Sequence, residues 1–269
     1  MKILVSQIKP YLGNVERNLE KIVKDIEKGI ENNCEIAVFP ELSLTGNLLE
    51  DLAFDVAISE IPKEFLDLSN KITIIFGAVC EENNRLYNCG ICLEDGKILE
   101  KHKKVFLSNG NGGSEAKYFT RGKEIKTFES KHGVFGITLG EEGLNPMVNG
   151  ILSSYGAEVI FNLVNENIDI KEKDSSYEKM AQANSLYNKN FTVMVNRVGV
   201  EDSVTFTGNS FVVSPYGKIL EKMEKFIEKL SIINIDLKDI KRAYYNSEFD
   251  RESNLEVIRK ELERIIAKN

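Results

Sequence analysis

The sequence predicts an α/β fold, because short apolar strands alternate with amphipathic helical segments and the chain opens with a βαβ unit. The first strand is predicted at Lys2 to Ile8 and the second at Cys34 to Phe39. Asn14 is placed to cap the helix between them, since its side-chain oxygen can accept a free backbone N–H. Helical spacing is shown by Val15, Leu19, Ile22, Val23, Ile26 and Ile30.

After this unit the sequence predicts a loop, a helical passage and three strands. The loop carries Pro40 and Glu41, and the helical passage extends to about Lys71. Glu94-Asp95-Gly96 joins the last two strands with residues typical of a tight turn. The three strands are predicted at Ile72 to Val79, Leu86 to Leu93 and Ile98 to Leu107.

The second half returns to alternating strands and helices. No proline-rich or serine-rich linker divides the chain, so we expect one domain in which βαβ units are combined with antiparallel strands. Helices are predicted near Asn145 to Tyr155 and Ser176 to Tyr187. The strands are predicted at Gly133 to Leu139, Glu158 to Leu163, Phe191 to Asn196, Phe206 to Ser214 and Leu230 to Ile235.

A last amphipathic helix is predicted between residues 246 and 269. Its apolar residues fall on one face and its remaining positions are largely acidic and basic. Such a helix packs either on the core of its own domain or on a partner subunit, and the sequence leaves both arrangements open. The apolar face is formed by Leu255, Ile258, Leu262, Ile265 and Ile266.

The composition argues against several classes of function. The net charge is −7 and the pI about 5.2, with lysines and arginines scattered among acids, so nucleic acid is not an expected partner. The N-terminal segment reaches a proline and then charges before a signal-length apolar core develops. No run approaches the roughly 18 apolar residues of a membrane span. We therefore expect a cytoplasmic protein without a membrane partner.

The cysteines and histidines do not have the spacing of a metal site. No pair of cysteines in CxxC spacing is matched by a second pair. We expect four reduced structural thiols, at Cys34, Cys80, Cys89 and Cys92, and no bound metal. The two histidines are His102 and His132.

Polar residues lie at three places where a predicted strand gives way to a loop. Glu41 follows one buried strand, Lys104 lies near the end of another, and Gly140 with Glu141 and Glu142 follows a third. Each feature alone is weak evidence for a ligand site, because an acidic residue after a strand is more often a solvated residue or a helix cap. Together at one edge of a sheet, they predict a ligand site.

The order of these motifs resembles the nitrilase superfamily of carbon–nitrogen hydrolases over roughly residues 1–245. Within that superfamily, the sequences TGNLLEDL and NRVG look most like the glutamine amidase domain of glutamine-dependent NAD synthetase. No SGGxDS loop for ATP occurs in the sequence. The matching stretches are Phe39 to Gly46, Leu86 to Asn88, Asp95 to Ile98, Lys103-Lys104, Tyr118 to Gly122, Gly156 to Val159, Val195 to Gly199 and Phe206 to Ser210.

The resemblance implies a fold and a reaction. The fold would be a four-layer αββα nitrilase-like sandwich in a single domain that forms a homodimer or higher homo-oligomer. The reaction would be hydrolysis of a small amide by a Glu, Lys and Cys set without metal or cofactor. In that chemistry a thiolate attacks the amide carbon, the glutamate moves the proton to the leaving ammonia, and the lysine stabilises the oxyanion.

The resemblance also assigns residues. Glu41 would be the base, Lys104 the oxyanion-stabilising lysine, and Glu115 the acid that helps hold substrate and lysine. The nucleophile motif GxxxCxE aligns with Phe135-Gly136-Ile137-Thr138-Leu139-Gly140-Glu141-Glu142, so Gly140 occupies the cysteine position. Substrate-binding positions would be Glu141, Tyr118 and Phe119.

The missing thiol leaves several explanations open. The protein has lost the covalent step and binds a small amide or carboxylate metabolite, or acts as a dimeric scaffold. Alternatively, Glu41 activates a water for slow hydrolysis, or a nucleophile comes from elsewhere, Thr138 being the nearest hydroxyl. A further alternative is that Gly140 is an engineered or miscopied residue. Glycine suits an elbow whose conformation is strained for other residues.

Other departures from the family pattern affect specificity. The loop Asn109 to Ser114 carries glycines where the family often has an aromatic and an aspartate, and Asn47 replaces a frequent aromatic. We therefore expect an altered pocket wall and no assured preference for glutamine.

Overall fold

Two six-stranded sheets face each other between layers of helices in the computed structural model, which describes residues 1–108, 115–167, 176–246 and 255–268. The predicted α/β class and the four-layer αββα sandwich in a single domain are both confirmed. The strands are β1 (Lys2–Gln7), β2 (Ile36–Val38), β3 (Thr73–Glu82), β4 (Arg85–Glu94), β5 (Lys97–Lys103), β6 (Thr127–Ser130), β7 (Gly133–Leu139), β8 (Val159–Val164), β9 (Phe191–Asn196), β10 (Val198–Glu201), β11 (Val204–Thr207), β12 (Phe211–Val213), β13 (Ile219–Lys222) and β14 (Lys229–Asn234).

Helices cover the outer face of each sheet. Asn14 caps α1 as predicted, because its Oδ1 accepts the backbone N–H of Arg17 at 3.0 Å. The predicted helical passage up to Lys71 is broken into two short helices and one 3₁₀ turn at Glu50–Leu52. The helices are α1 (Val15–Glu31), α2 (Ala53–Val56), α3 (Lys63–Leu68), α4 (Glu115–Tyr118), α5 (Pro146–Ser154), α6 (Ser176–Asn188), α7 (Lys238–Tyr245) and α8 (Leu255–Ile266).

The two sheets have similar topology. The first has the order β14-β1-β2-β3-β4-β5 and the second the order β13-β12-β9-β8-β7-β6. In each, three central strands run parallel and antiparallel strands complete the edges. Asp95 and Gly96 join β4 to β5 with φ angles of +50° and +73°, as a type I′ hairpin turn requires.

Two predicted strands differ from the structure. The strand predicted at Ile98 to Leu107 ends at Lys103. The segment Phe206 to Ser214 was predicted as continuous, whereas it forms the end of β11 and then the separate strand β12. Gly208 and Asn209 break it, because both adopt left-handed φ angles, of +69° and +60°, that do not occur in an extended strand. As a result β11 pairs with β10 in a hairpin, while β12 joins the second sheet.

The core follows the two-residue period of the strands. Ile3 and Val5 of β1 point between the sheets, whereas Leu4 packs on the helical layer with Ile22 and Ile26 of α1. Between the sheets, the Phe135 and Phe161 rings pack edge to face with centroids 5.3 Å apart. Val38, Ile137 and Leu163 extend the same apolar cluster toward the strand ends that carry the polar residues.

The C-terminal helix α8 lies at the surface. Its apolar side chains are exposed, from Leu262 at 36% to Ile266 at 73%. Packing of this helix on its own domain or on a partner therefore stays a prediction. None of the described helices is long and apolar enough to cross a membrane.

Candidate active site

A cavity of about 380 Å³ opens where several strands end. Glu41 follows β2, Gly140 follows β7 and Asn165 follows β8, so the carboxyl ends of parallel strands from both sheets meet there. Seven residues that the sequence suggested for the site line this cavity, whereas Glu142 and Thr138 do not. The seven residues are Glu41, Lys104, Glu115, Tyr118, Phe119, Gly140 and Glu141.

A buried lysine at the base of the cavity is held between two carboxylates. Nζ of Lys104 lies 2.8 Å from Oε1 of Glu41 and 2.9 Å from Oε2 of Glu115. The Lys104 and Glu41 side chains are each only 3% exposed. The side-chain amide of Asn88, on β4, donates to Oε1 of Glu41 at 2.8 Å and to Oε1 of Glu115 at 3.1 Å. The charges are therefore paired and hydrogen-bonded, as buried charges must be.

This environment moves both pKa values. Burial raises the pKa of Glu41 to about 7, which outweighs the opposing attraction of Lys104 and is reinforced by the charge of Glu115. Burial alone would lower the pKa of Lys104, but Glu41 and Glu115 raise it above its ordinary value. The lysine thus stays cationic, while Glu41 can gain or lose a proton near neutral pH.

Gly140 lies at the sharp turn between β7 and the 3₁₀ segment Gly140–Leu144. Its φ angle is +52°, in the left-handed region that side chains other than glycine adopt only with strain. A Cβ atom built on Gly140 would lie 2.9 Å from Nζ of Lys104 and 3.2 Å from Oε2 of Glu41. A side chain at this position would therefore point directly between the lysine and the glutamate.

A second buried carboxylate fixes this turn to the lysine strand. Oε2 of Glu142 accepts the Leu139 N–H at 2.9 Å, and Oε1 accepts the Val105 N–H at 2.6 Å. Nε2 of His102 lies 2.7 Å from Oε2 of the same carboxylate. Burial raises the pKa of Glu142, but His102 and the backbone donors lower it overall. Glu142 therefore locks the Gly140 turn against the chain immediately after Lys104.

The loop on another wall is held by a buried ion pair. Oε2 of Glu201 accepts the backbone N–H groups of Asn47 and Leu48, both at 3.1 Å. Glu201 pairs with Arg197 at 2.5 Å, and the Arg197 guanidinium carbon lies 4.1 Å from the ring centroid of Phe206. Since Asn47 and Leu48 line the cavity, this pair positions one of its walls.

The remaining walls are aromatic and acidic. Phe119 packs beside the small apolar cluster of Leu42, Leu49 and Ala53, so it lines the cavity from that side. Tyr177 also lines the cavity, and burial, reinforced by the charge of Glu41, raises its pKa well above the ordinary value.

None of the four cysteines lies on this lining. Cys80 belongs to β3, Cys89 and Cys92 belong to β4, and Cys34 precedes β2, all of them buried. Thr138 is also fully buried, and its hydroxyl lies 3.1 Å from the side chain of Asn162. Within the described residues, no group of His, Cys, Asp and Glu side chains could hold a metal ion.

Sequence reasoning missed several residues of the site. Asn88 lies in a stretch that matched the family but was not assigned a role, although it joins both carboxylates. Arg197 also lies in a matching stretch, Val195 to Gly199, without an assigned role. Glu201 and Tyr177 gave no sequence signal, because their contacts depend on how distant segments pack. The glycine-rich loop Asn109 to Ser114, expected to alter the pocket wall, lies outside the described residues.

Comparison with known proteins agrees with the fold and the motifs. The carbon-nitrogen hydrolase family pattern matches residues 2–245. The chain is 32% identical over 248 residues to the glutamine-dependent NAD(+) synthetase of Aquifex aeolicus, covering 90% of this chain and 43% of that protein. It is 26% identical over 264 residues to the probable nitrilase C965.09 of Schizosaccharomyces pombe, covering 93% and 94%.

Solved structures show the same relationship. The glutamine-dependent NAD+ synthetase of Acinetobacter baumannii superposes with a TM-score of 0.78 at 26% identity, covering 86% of this chain and 44% of that one. A carbon-nitrogen hydrolase from Helicobacter pylori G27 shares the fold at 21% identity, with a TM-score of 0.84 and coverage of 97% and 98%. The chain thus spans less than half the length of the NAD synthetases that it matches. It belongs to the carbon-nitrogen hydrolase family.

Proposed function

We propose that this protein binds a small amide or carboxylate metabolite in the cavity and no longer hydrolyses amides through a covalent intermediate. The observation that carries this proposal is the direction of the Gly140 Cβ, which points at the paired Lys104 and Glu41 side chains, 2.9 Å from Nζ and 3.2 Å from Oε2. Both charged side chains line the cavity, but the chain has no thiol at the position that faces them.

The retained groups fit an amide or a carboxylate. The Lys104 ammonium can donate to a carbonyl or carboxylate oxygen, and Glu41 can accept from an amide N–H₂ group when it is ionised. Because the pKa of Glu41 is about 7, the protonated form also donates to a carboxylate oxygen at lower pH. The cavity, of about 380 Å³, suits a small molecule.

The proposal is tested by calorimetric titration with primary amides and their matching carboxylates. Glutamine is included because the NAD synthetases that the chain resembles depend on glutamine by name. We expect saturable binding by the natural protein and its loss in Lys104→Met. Glu41→Gln should weaken binding of amides more than binding of carboxylates, because its N–H₂ group can still donate to a carboxylate oxygen. Lys103→Met is the matched control, since Lys103 pairs instead with Glu82 at 2.5 Å. Undiminished binding by folded Lys104→Met would refute the assigned site.

A second candidate function is slow hydrolysis by a water that Glu41 activates. It is favoured by the Glu41 pKa of about 7, because a general base works best when its pKa lies near the working pH. Ammonia release would then increase as pH rises through about 7, and Glu41→Gln would abolish it. A natural protein that releases no ammonia from any amide of the panel rules this candidate out.

We further propose a homodimer or higher homo-oligomer in the cytoplasm. The exposed apolar face of α8 supports self-association, and four buried thiols without a disulfide suit a reducing compartment. Sedimentation that gives a monomer at micromolar concentration would count against the oligomer. Fractionation of the cells that make the protein tests the location.

A further inference from the structure

A second cleft, also of about 380 Å³, lies at the edge where β5 and β6 border the two sheets. Five cationic side chains and two glutamates, Glu100 and Glu124, line it, in a protein of net charge −7. The sequence had suggested that the basic residues are scattered, but folding gathers residues from two segments into this cleft. The cations are Lys101, Lys103, Arg121, Lys123 and Lys126.

The positive charge of this cleft is only partly neutralised. Lys101 and Lys103 share the single carboxylate of Glu82, at 3.2 Å and 2.5 Å. In the described part of the chain Arg121 and Lys123 form no ion pair, and Arg121 reaches only the carbonyl of Val105, at 3.4 Å. These two side chains are solvent-exposed and free to bind an anion.

Two walls of the cleft are held at a fixed spacing. The Gly122 N–H donates to the carbonyl of Lys104 at 2.7 Å, which attaches the Arg121 to Lys123 segment to the end of β5. A Cβ at Gly122 would lie 2.0 Å from the carbonyl oxygen of Lys103, so only glycine permits this close approach. The two groups of cations therefore face the cleft from a preformed frame, which reduces the entropic cost of binding.

We propose that this cleft binds a small molecule carrying linked phosphate groups. Arginine and lysine side chains bind phosphate oxygens through charge-assisted hydrogen bonds, and several cations can engage consecutive phosphates at once. The ring of Tyr87 forms part of the lining, with Nζ of Lys103 lying 4.3 Å from its centroid. A nucleic acid fits less well, because a cleft of about 380 Å³ on an acidic protein offers no extended basic track.

The proposed cleft is separate from the candidate active site but adjoins it. Lys103 contributes to the cleft, while the next residue, Lys104, reaches Glu41 in the other cavity. Gly122 bonds to the backbone of that same lysine. No residue lines both cavities among those described, so the two sites can be tested independently.

The test is calorimetric titration of the full chain with orthophosphate, pyrophosphate and inorganic triphosphate at low salt. We expect affinity to rise with each added phosphate and to fall with increasing salt. Arg121→Gln/Lys123→Gln should weaken triphosphate binding by at least about tenfold. Lys24→Gln/Lys71→Gln removes the same charge from exposed positions elsewhere and should leave binding unchanged.

Three results would overturn the proposal. One is the absence of saturable triphosphate binding by the natural protein. Another is an equal loss in the two double variants, which would show that only net charge matters. The third is binding of a single-stranded oligonucleotide without binding of triphosphate, which would assign the surface to nucleic acid instead.

Discussion

A Cβ atom built on Gly140 lies 2.9 Å from Nζ of Lys104, at a residue whose φ angle is +52°. The backbone therefore keeps a sharp strand-end turn that aims a side chain at the lysine, although the residue present has none. Glycine adopts this conformation without the strain of about 1–3 kcal/mol that other residues incur. The chain thus has a residue without a side chain at a point where any side chain would face Lys104 and Glu41.

Glu41 should make stability depend on pH in an unusual direction. Its pKa of about 7 in the folded protein lies above its ordinary value of 4.5, so the folded state binds a proton that the unfolded state releases between these values. Its contribution to the free energy of unfolding therefore decreases as pH rises from about 4.5 to 7. Urea unfolding at several pH values should show this decrease for the natural protein and a smaller one for Glu41→Gln.

The control for this comparison is Glu27→Gln, which removes an exposed carboxylate of α1. It should follow the pH dependence of the natural protein. Identical pH profiles for Glu41→Gln and the natural protein would show that the pKa of Glu41 is not raised on folding.

Glu142 and Glu141 are adjacent, but their substitution should have very different effects. Glu142 is 1% exposed and accepts hydrogen bonds from both sides of the Gly140 turn, whereas Glu141 is exposed. We expect Glu142→Gln to lower the free energy of unfolding by about 3 kcal/mol, since it leaves His102 without its charged partner. Glu141→Gln should change it by less than about 0.5 kcal/mol. Denaturant unfolding at neutral pH provides the comparison.

The same carboxylate has the opposite pH dependence from Glu41. Its pKa is lowered in the folded protein, so its stabilising contribution is present above the ordinary value of 4.5 and is lost as pH falls through the folded pKa. The difference in stability between the natural protein and Glu142→Gln should therefore shrink in acid. A difference that stays constant down to the acid transition would argue against an ionised Glu142.

The Arg197–Glu201 pair should behave as a unit. Arg197→Met alone leaves the Glu201 carboxylate buried without its cation, and we expect a loss of about 3–5 kcal/mol. Arg197→Met/Glu201→Gln should recover much of this loss, because the amide oxygen can still accept the Asn47 and Leu48 N–H groups. A double variant as unstable as the single one would mean that the guanidinium acts through packing on Phe206 rather than through charge.

Much of the fold could be predicted from hydrophobic periodicity. The strands Gly133–Leu139 and Phe191–Asn196 have the predicted bounds, since their apolar runs end at turn residues. The prediction of one continuous strand over Phe206 to Ser214 was wrong because Gly208 and Asn209 lie within a segment that is apolar on both sides. Their left-handed backbone conformation has no unique sequence signal. Periodicity reports burial, whereas a break between two strands depends on backbone conformation.

The sequence motifs predicted which residues belong to the site but not the contacts between them. Glu41, Lys104 and Gly140 were singled out at predicted strand ends, and Glu115 was added by the family resemblance. The structure brings these residues together. The hydrogen bond from Asn88 to Glu41 joins residues that are 47 positions apart in the sequence. It depends on the pairing of β3 with β4, which the spacing of residues along the chain does not predict. For the same reason the basic cleft became visible only in the folded chain.

The central claim is that the cavity retains amide-binding geometry and lacks only the nucleophile. The most direct test measures ammonia release from glutamine, asparagine and simple aliphatic amides by the natural protein, Gly140→Cys and Gly140→Ala. The alanine variant introduces the same strain and the same Cβ as the cysteine variant, so it isolates the effect of the sulfur. We predict that Gly140→Cys exceeds both others by a factor on the order of 10³ on at least one amide. Equal rates for the cysteine and alanine variants, with both proteins folded, would contradict the claim and show that the cavity is not arranged for amide hydrolysis.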